Sequence, residues 1–221
     1  MKIAYKHLVD RITSRPSIDQ ISDKLYQLGH EHEIDDGVYE MEFTPNRGDC
    51  LSINGLLRDL ALFYEVDLDG EIYHDKLSNL ELPFKNNSEK YCPHISFLKI
   101  DVAEIKSSYV EELKSYFDDL DLKPNNFFTD VSNFISYETG QPTHCYDATK
   151  INTFSLEQID TDYEFQTLLG KKIKLSGENL VFMQNNNVIN LAGVMGGKST
   201  ACSSSTKSVI IECAYFDPEK I

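Results

Sequence analysis

Apolar residues at Ile18, Ile21, Leu25 and Leu28 recur at helical spacing behind Ser17 and Gln20, which fit a capping box, and ahead of Gly29. A helix closed by the glycine is predicted there. From His30 to Phe43 the pattern changes to alternation around Asp35-Asp36-Gly37, and Asp-Gly is a strong two-residue hairpin signal. A polar turn, Thr44-Pro45-Asn46-Arg47-Gly48-Asp49, then leads to Ile53, Leu56, Leu57, Leu60, Leu62, Phe63 and Tyr64 on a second helix. Residues 67–92 are polar and broken by Gly70, Pro83, Asn86 and Asn87, which reads as a linker.

Beyond it, His94 to Val102 suits a strand, and Ser108 with Glu111 is expected to cap a helix carrying Val110, Leu113, Phe117 and Leu120. Lys123-Pro124-Asn125-Asn126 breaks the chain, and Phe127, Val131, Phe134 and Ile135 then mark a third helical face ending at Gly140. Lys171–Leu175, Leu180–Met183, Val188–Leu191 and Val209–Phe216 read as strands, with Asn185-Asn186-Asn187 as a hairpin turn. The fold class expected is α+β: a small helical N-terminal domain with a hairpin over residues 1–75, and a larger α+β domain with a mainly antiparallel sheet over 85–221.

Alternation on the last strand puts Ile210, Glu212, Ala214 and Phe216 on one face, so Glu212 is a lone acid among apolar neighbours. Such a carboxylate needs either an ion-pair partner or a place at the floor of a pocket. Ala192-Gly193-Val194-Met195-Gly196-Gly197 is a glycine-bearing turn after a strand, but it has neither the ending of a P-loop nor dinucleotide-fold spacing. It suits a simple turn or a close approach of backbone to ligand. Gly140-Gln141-Pro142-Thr143-His144 is a helix stop followed by a rigid turn, which would present His144 from a constrained loop.

Charge and cysteine usage narrow the class. The 221 residues hold 21 Lys and Arg against 36 Asp and Glu, a net charge of −15. Residues 171–221 carry six lysines against four acids, so −17 falls on residues 1–170. That excess argues against a free-standing nucleic-acid binder, since phosphate contacts need clustered cations. Five dispersed cysteines without a C-x-x-C pair point to reduced thiols rather than zinc or redox chemistry. Cys145 follows His144 directly, but sequence adjacency seldom gives a nucleophile and base their geometry. No apolar run has the length of a membrane span and no signal-peptide core follows Met1, so a cytoplasmic protein is expected.

Three sets of motifs carry a family resemblance. They are Thr44-Pro45-Asn46-Arg47-Gly48-Asp49-Cys50-Leu51-Ser52, then Asp130-Val131-Ser132-Asn133 with Gly140-Gln141-Pro142-Thr143-His144, and finally Leu191 to Gly197 with Glu212 to Pro218. In this order the chain resembles the β subunit of bacterial phenylalanyl-tRNA synthetases, namely its N-terminal region and editing module. The resemblance implies hydrolysis of tyrosine mischarged on the phenylalanine tRNA. It makes His144, Ser132 and Asn133 the catalytic candidates, and Glu212 the carboxylate that recognises the tyrosine hydroxyl. Ala192 and Gly193 match the wall that accepts the ring, with Ala214 and Pro142 as further substrate-binding candidates. Backbone N–H groups near Gly193 are candidate oxyanion donors on turn chemistry.

The resemblance also has departures. Ser132 stands for a usual threonine, and His144-Cys145-Tyr146-Asp147 for a more usual His-Ala-Phe-Asp. Lys123, the candidate tRNA contact, stands where many members have arginine, which loses the bidentate fork. A tRNA-binding OB-like domain is expected to be missing, because a short hairpin takes its place, and the segments that contact the catalytic α subunit are not represented. The resemblance thus implies editing without aminoacylation and no cofactor in this chain, ATP and Mg belonging to the complete synthetase. The partners it implies are the aminoacylated 3′ end of the phenylalanine tRNA and the α subunit, with no membrane and no DNA. A free-standing deacylase and a non-catalytic module that binds an amino acid or a partner are the competing functions.

Overall fold

The computed structural model describes residues 1–68, 76–160 and 162–221. It divides into two units, one of residues 1–76, 106–125 and 133–141, the other of residues 77–105, 126–132 and 142–221. Helices from the second half of the sequence therefore group with the first unit, which the division expected from the sequence did not include. The expected linker falls partly on 69–75, outside the described residues.

In the first unit β1 (Lys2–Ala4), β2 (Glu31–Asp35) and β3 (Val38–Glu42) form an antiparallel sheet in the order β1-β3-β2. Asp36 (φ 42°) and Gly37 (φ 81°) make the turn between β2 and β3, as the Asp-Gly signal predicts. Helices α1 (Tyr5–Val9), α2 (Ile18–Gln27) and α3 (Ile53–Leu60) pack on this sheet around Ile3, Leu8, Ile21, Leu25, Tyr39 and Leu56. The Ser17–Gln20 capping box is present, and Gly29 closes α2 at φ 82°. Helix α3 ends before Leu62 and Phe63, which are exposed.

Helix α4 (Ser107–Asp118) begins two residues earlier than expected, with Lys106 at the N-cap and no side-chain cap. Ser108 therefore lies inside the first turn, and no Ser108–Glu111 box forms. Tyr116 on α4 stacks on His7 at 4.0 Å and donates to Glu138, which also pairs with Arg11. This polar network, besides the buried Phe117, ties α4 to the first unit.

The second unit holds two sheets. A five-stranded one has the order β12-β11-β10-β7-β4, from β4 (Phe84–Asn86), β7 (Phe154–Asp160), β10 (Glu178–Gln184), β11 (Asn187–Leu191) and β12 (Met195–Gly196). Among the described residues of this sheet only the β4–β7 pair is parallel. Residues 84–86 are thus sheet rather than linker, and Cys92 lies fully buried in the adjoining core. The second sheet is antiparallel, β5-β13-β6, from β5 (His94–Asp101), β13 (Ser208–Tyr215) and β6 (Thr143–Asp147). Strands β8 (Tyr163–Gln166) and β9 (Lys172–Leu175) pair separately. Helix α5 (Phe127–Thr139), the predicted helix before Gly140, belongs to this unit up to Ser132 and to the first unit from Asn133. Tyr146, Phe154, Phe182, Ile189 and Ile210 fill the main core of this unit.

Candidate functional site

Strand pairing alone brings two of the predicted residues together. His144 lies on β6, a strand rather than the expected loop, and stands directly opposite Glu212 on β13. Facing residues of paired strands share a side of the sheet. His144 and Glu212 therefore emerge on one face. Ala214 and Phe216 continue that face, as the alternation of β13 predicts.

Over this face lies a cleft of about 410 Å³, with His144, Asn190, Gly193, Glu212, Ala214 and Phe216 among its lining residues. Pro142 and Thr143 contribute to the same wall. Two grooves of the first unit are larger, about 570 and 730 Å³, but they are rich in exposed acidic side chains and pair no buried base with a buried acid. Size does not locate the chemistry here.

Glu212 is 5% exposed and faces no cation in the cleft. Burial lifts its carboxyl to about 7, only partly opposed by the hydrogen bond that Tyr146 donates to Oε2 at 2.5 Å. Asn190 in turn donates to the Tyr146 oxygen at 2.7 Å. The imidazole of His144 sits edge-on to Tyr146 at 4.5 Å and presses on Gly196, where an added Cβ would lie 2.2 Å from Cε1. Glycine is required at 196 for that approach. Among the described residues His144 Nε2, itself buried, has no hydrogen-bond partner, and burial depresses the imidazole to about 4. At neutral pH His144 is uncharged, three units below the pKa that suits a general base.

The remaining candidates are placed differently. Ser132 is buried and hydrogen-bonds Thr143 Oγ1 at 2.9 Å and Cys145 Sγ at 3.2 Å. Cys145, next to His144 on a strand, points to the opposite face, so Ser132 is not among the cleft-lining residues and meets the cleft only through its partner Thr143. Asn133 is exposed and groups with the first unit, as does exposed Lys123. Ala192 is 1% exposed and packs into the core, leaving Gly193, at φ 71°, as the wall. The Ala192 and Val194 amides already donate to Leu180 and Leu191, so neither is a free oxyanion donor. Sequence reasoning missed Asn190 and the role of Tyr146. The signals were an amide inside the apolar strand Val188-Ile189-Asn190-Leu191 and the tyrosine two residues after His144.

A second polar cluster, in the first unit, explains the Thr44–Cys50 motif. Arg47 reaches Asp59 Oδ2 at 2.5 Å and Cys50 Sγ at 2.7 Å, while His30 Nε2 meets the same Asp59 oxygen at 2.9 Å. His30, Cys50 and Asp59 have metal-ligand types and proximity. The Arg47 guanidinium already supplies the positive charge, and burial raises the Cys50 thiol to about 11, which disfavours the thiolate a metal needs. All five cysteines are free thiols, as expected from their dispersion.

Residues 92–221, more than half the chain, match the B3/4 domain family. The chain belongs to that family. The phenylalanine–tRNA ligase β subunit of Bartonella quintana is 32% identical over 193 residues, covering 85% of this chain and 24% of that protein. That of Ehrlichia ruminantium (strain Gardel) is 30% identical over 226 residues, covering 95% and 28%. The B3/4 chain thus spans about a quarter of the length of these curated relatives. Among solved structures, an N-terminal fragment of the phenylalanyl-tRNA synthetase β subunit of Pyrococcus horikoshii matches with a TM-score of 0.50 and 13% identity. That match covers all of this chain and 69% of the fragment, and it supports the mixed α+β fold. Among the described residues no helix is long and apolar enough to cross a membrane.

Proposed function

We propose that this chain carries the editing step of a phenylalanyl-tRNA synthetase β subunit, the hydrolysis of tyrosine esterified to the phenylalanine tRNA. The observation that carries the reading is the convergence of His144 and Glu212 on one cleft, Glu212 buried and His144 half-buried with its Nε2 covered, and no cation among the residues that line it. Glu212 offers an acceptor for a phenolic hydroxyl between apolar walls at Ala214 and Phe216. His144, uncharged at neutral pH, orients the attacking water toward the ester carbonyl. The tRNA's 3′ end and a catalytic α subunit are the partners of this reading, in the cytoplasm. ATP and magnesium serve aminoacylation in the complete synthetase and have no task in ester hydrolysis.

Deacylation of tyrosyl- and phenylalanyl-tRNA carrying the phenylalanine tRNA tests it. The chain is expected to release tyrosine faster, His144→Ala to slow release by about 10²-fold, and Glu212→Gln to keep the melting temperature while losing the tyrosine preference. A Glu212→Gln variant that melts far below the parent yet still prefers tyrosine overturns the recognition role. The absence of Ser132 and Asn133 from the residues that line the cleft favours one second reading, a cleft that binds an aromatic amino acid without hydrolysing its ester. Tyrosine binding by calorimetry with no deacylation would decide for it.

A further inference from the structure

Tyr146 is fully buried, yet its hydroxyl ends at the carboxyl group that floors the cleft. The register of β6 on β13 causes this: Tyr146 faces Ile210, two residues from Glu212 on the same side of the sheet, so the ring reaches diagonally behind His144. A phenol has a single hydrogen. Here it goes to Glu212 Oε2, while the oxygen accepts from Asn190 Nδ2. Asn190 and Glu212 both line the cleft, and the hydroxyl that joins them does not.

We propose that Tyr146 is a positioning residue that sets the selectivity of this cleft, by giving Glu212 a resident phenolic donor and so lowering the cost of admitting an aromatic ligand without a hydroxyl. The inference rests on the function proposed above. A buried acceptor left with no partner by the wrong ligand discriminates by roughly 10⁴-fold or more. Glu212 is never left in that state, because the Tyr146 hydrogen stays on Oε2 whichever ligand enters. The ligand hydroxyl then adds one hydrogen bond to an acceptor already served, a difference of roughly 10- to 100-fold.

The test compares the tyrosine-to-phenylalanine ratio of kcat/KM on the two charged tRNAs, or of affinity for the two free amino acids, in the parent and in Tyr146→Phe. The parent ratio is expected near 10- to 100-fold. Tyr146→Phe is expected to raise it at least tenfold, and adding Glu212→Gln to abolish the gain. A purely structural role for Tyr146 would move stability and leave the ratio alone. A parent ratio of 10⁴ or more, or an unchanged or smaller ratio in a folded Tyr146→Phe, overturns the inference while the proposed function stands. Should Tyr146→Phe fail to fold, the parent ratio alone decides. If the parent neither hydrolyses either ester nor binds either amino acid, the proposed function fails and this inference with it.

Discussion

Each unit sets a histidine beside a carboxylate, half-buried at Asp59 and buried at Glu212, and the two pairs differ in one component. In the first unit His30 and Asp59 share Arg47. Burial acts to raise the Asp59 carboxyl, but the hydrogen bonds from Arg47 and His30 outweigh it and hold the group below its ordinary range. In the second unit His144 and Glu212 face each other across two strands with no arginine or lysine lining their cleft. There burial prevails on both, lifting the acid to about 7 and lowering the base to about 4. The same residue types serve as a clamp where a cation closes the network, and keep strongly shifted pKa values beside a cleft where none does.

The sharpest way to break this comparison is to remove the carboxylate from each pair. Asp59→Ala strips Arg47 and His30 of their shared acceptor and should cost about 3 kcal/mol, toward the lower end for a broken buried pair because Arg47 keeps some contact with solvent. Glu212→Gln breaks no ion pair and should change stability by about 1 kcal/mol or less at pH 7. Urea titrations of both variants measure this. Equal losses would mean that Glu212 is also a structural partner.

The second test uses pH. Glu212 binds its proton more tightly folded than unfolded, so its contribution to stability is full below about pH 4.5 and is lost as pH rises toward 7. His144 binds its proton less tightly folded, so its contribution is full above about 6.5 and is lost as pH falls toward 4. Each shift corresponds to roughly 3 kcal/mol, and between pH 4.5 and 6.5 the slopes oppose. The parent should therefore show little net dependence from this pair. Relative to the parent, Glu212→Gln should gain stability as pH rises through that window, and His144→Gln should lose it. Difference curves of denaturation midpoint against pH isolate the two groups, and flat curves would remove the contrast with the arginine-held pair.

How far these pairs were legible in the sequence follows from the range of the contacts that build them. The capping box at Ser17, the Asp36-Gly37 turn and the alternation of β13 are local, and each forms as predicted. That alternation also gave the correct face for Glu212. The sequence around His144 reads as a loop because β6 is short and follows a proline, and its strand character comes from pairing with β13 more than sixty residues away. The same pairing sends Cys145, which Ser132 of α5 hydrogen-bonds, to the other face, and no short-range pattern encodes that contact. Residues 84–86 read as linker since three polar-flanked residues gain strand structure only by joining β7. The Arg47–Asp59 clamp joins a turn to a helix, and the motif gave the turn without its partner.

The smallest expected effect is an absence of response, and it bears directly on what closes the first pair. His30, Cys50 and Asp59 would suit a zinc ion by type, and a zinc ion at 100 times its dissociation constant would add about 2.7 kcal/mol of stability. Arg47 already touches Asp59 and Cys50, and a zinc ion there would meet a guanidinium and a thiol raised to about 11 by burial and by the neighbouring Asp59 charge. The parent should accordingly melt at the same temperature with zinc as with a chelator, and Cys50 should resist alkylation at pH 8 in the folded state while reacting once unfolded. Peptide mapping after alkylation identifies the residue. A zinc-dependent rise of several degrees, or rapid labelling of Cys50 in the folded chain, would show that Arg47 does not close the cluster and that both histidine–carboxylate pairs are open to ligands.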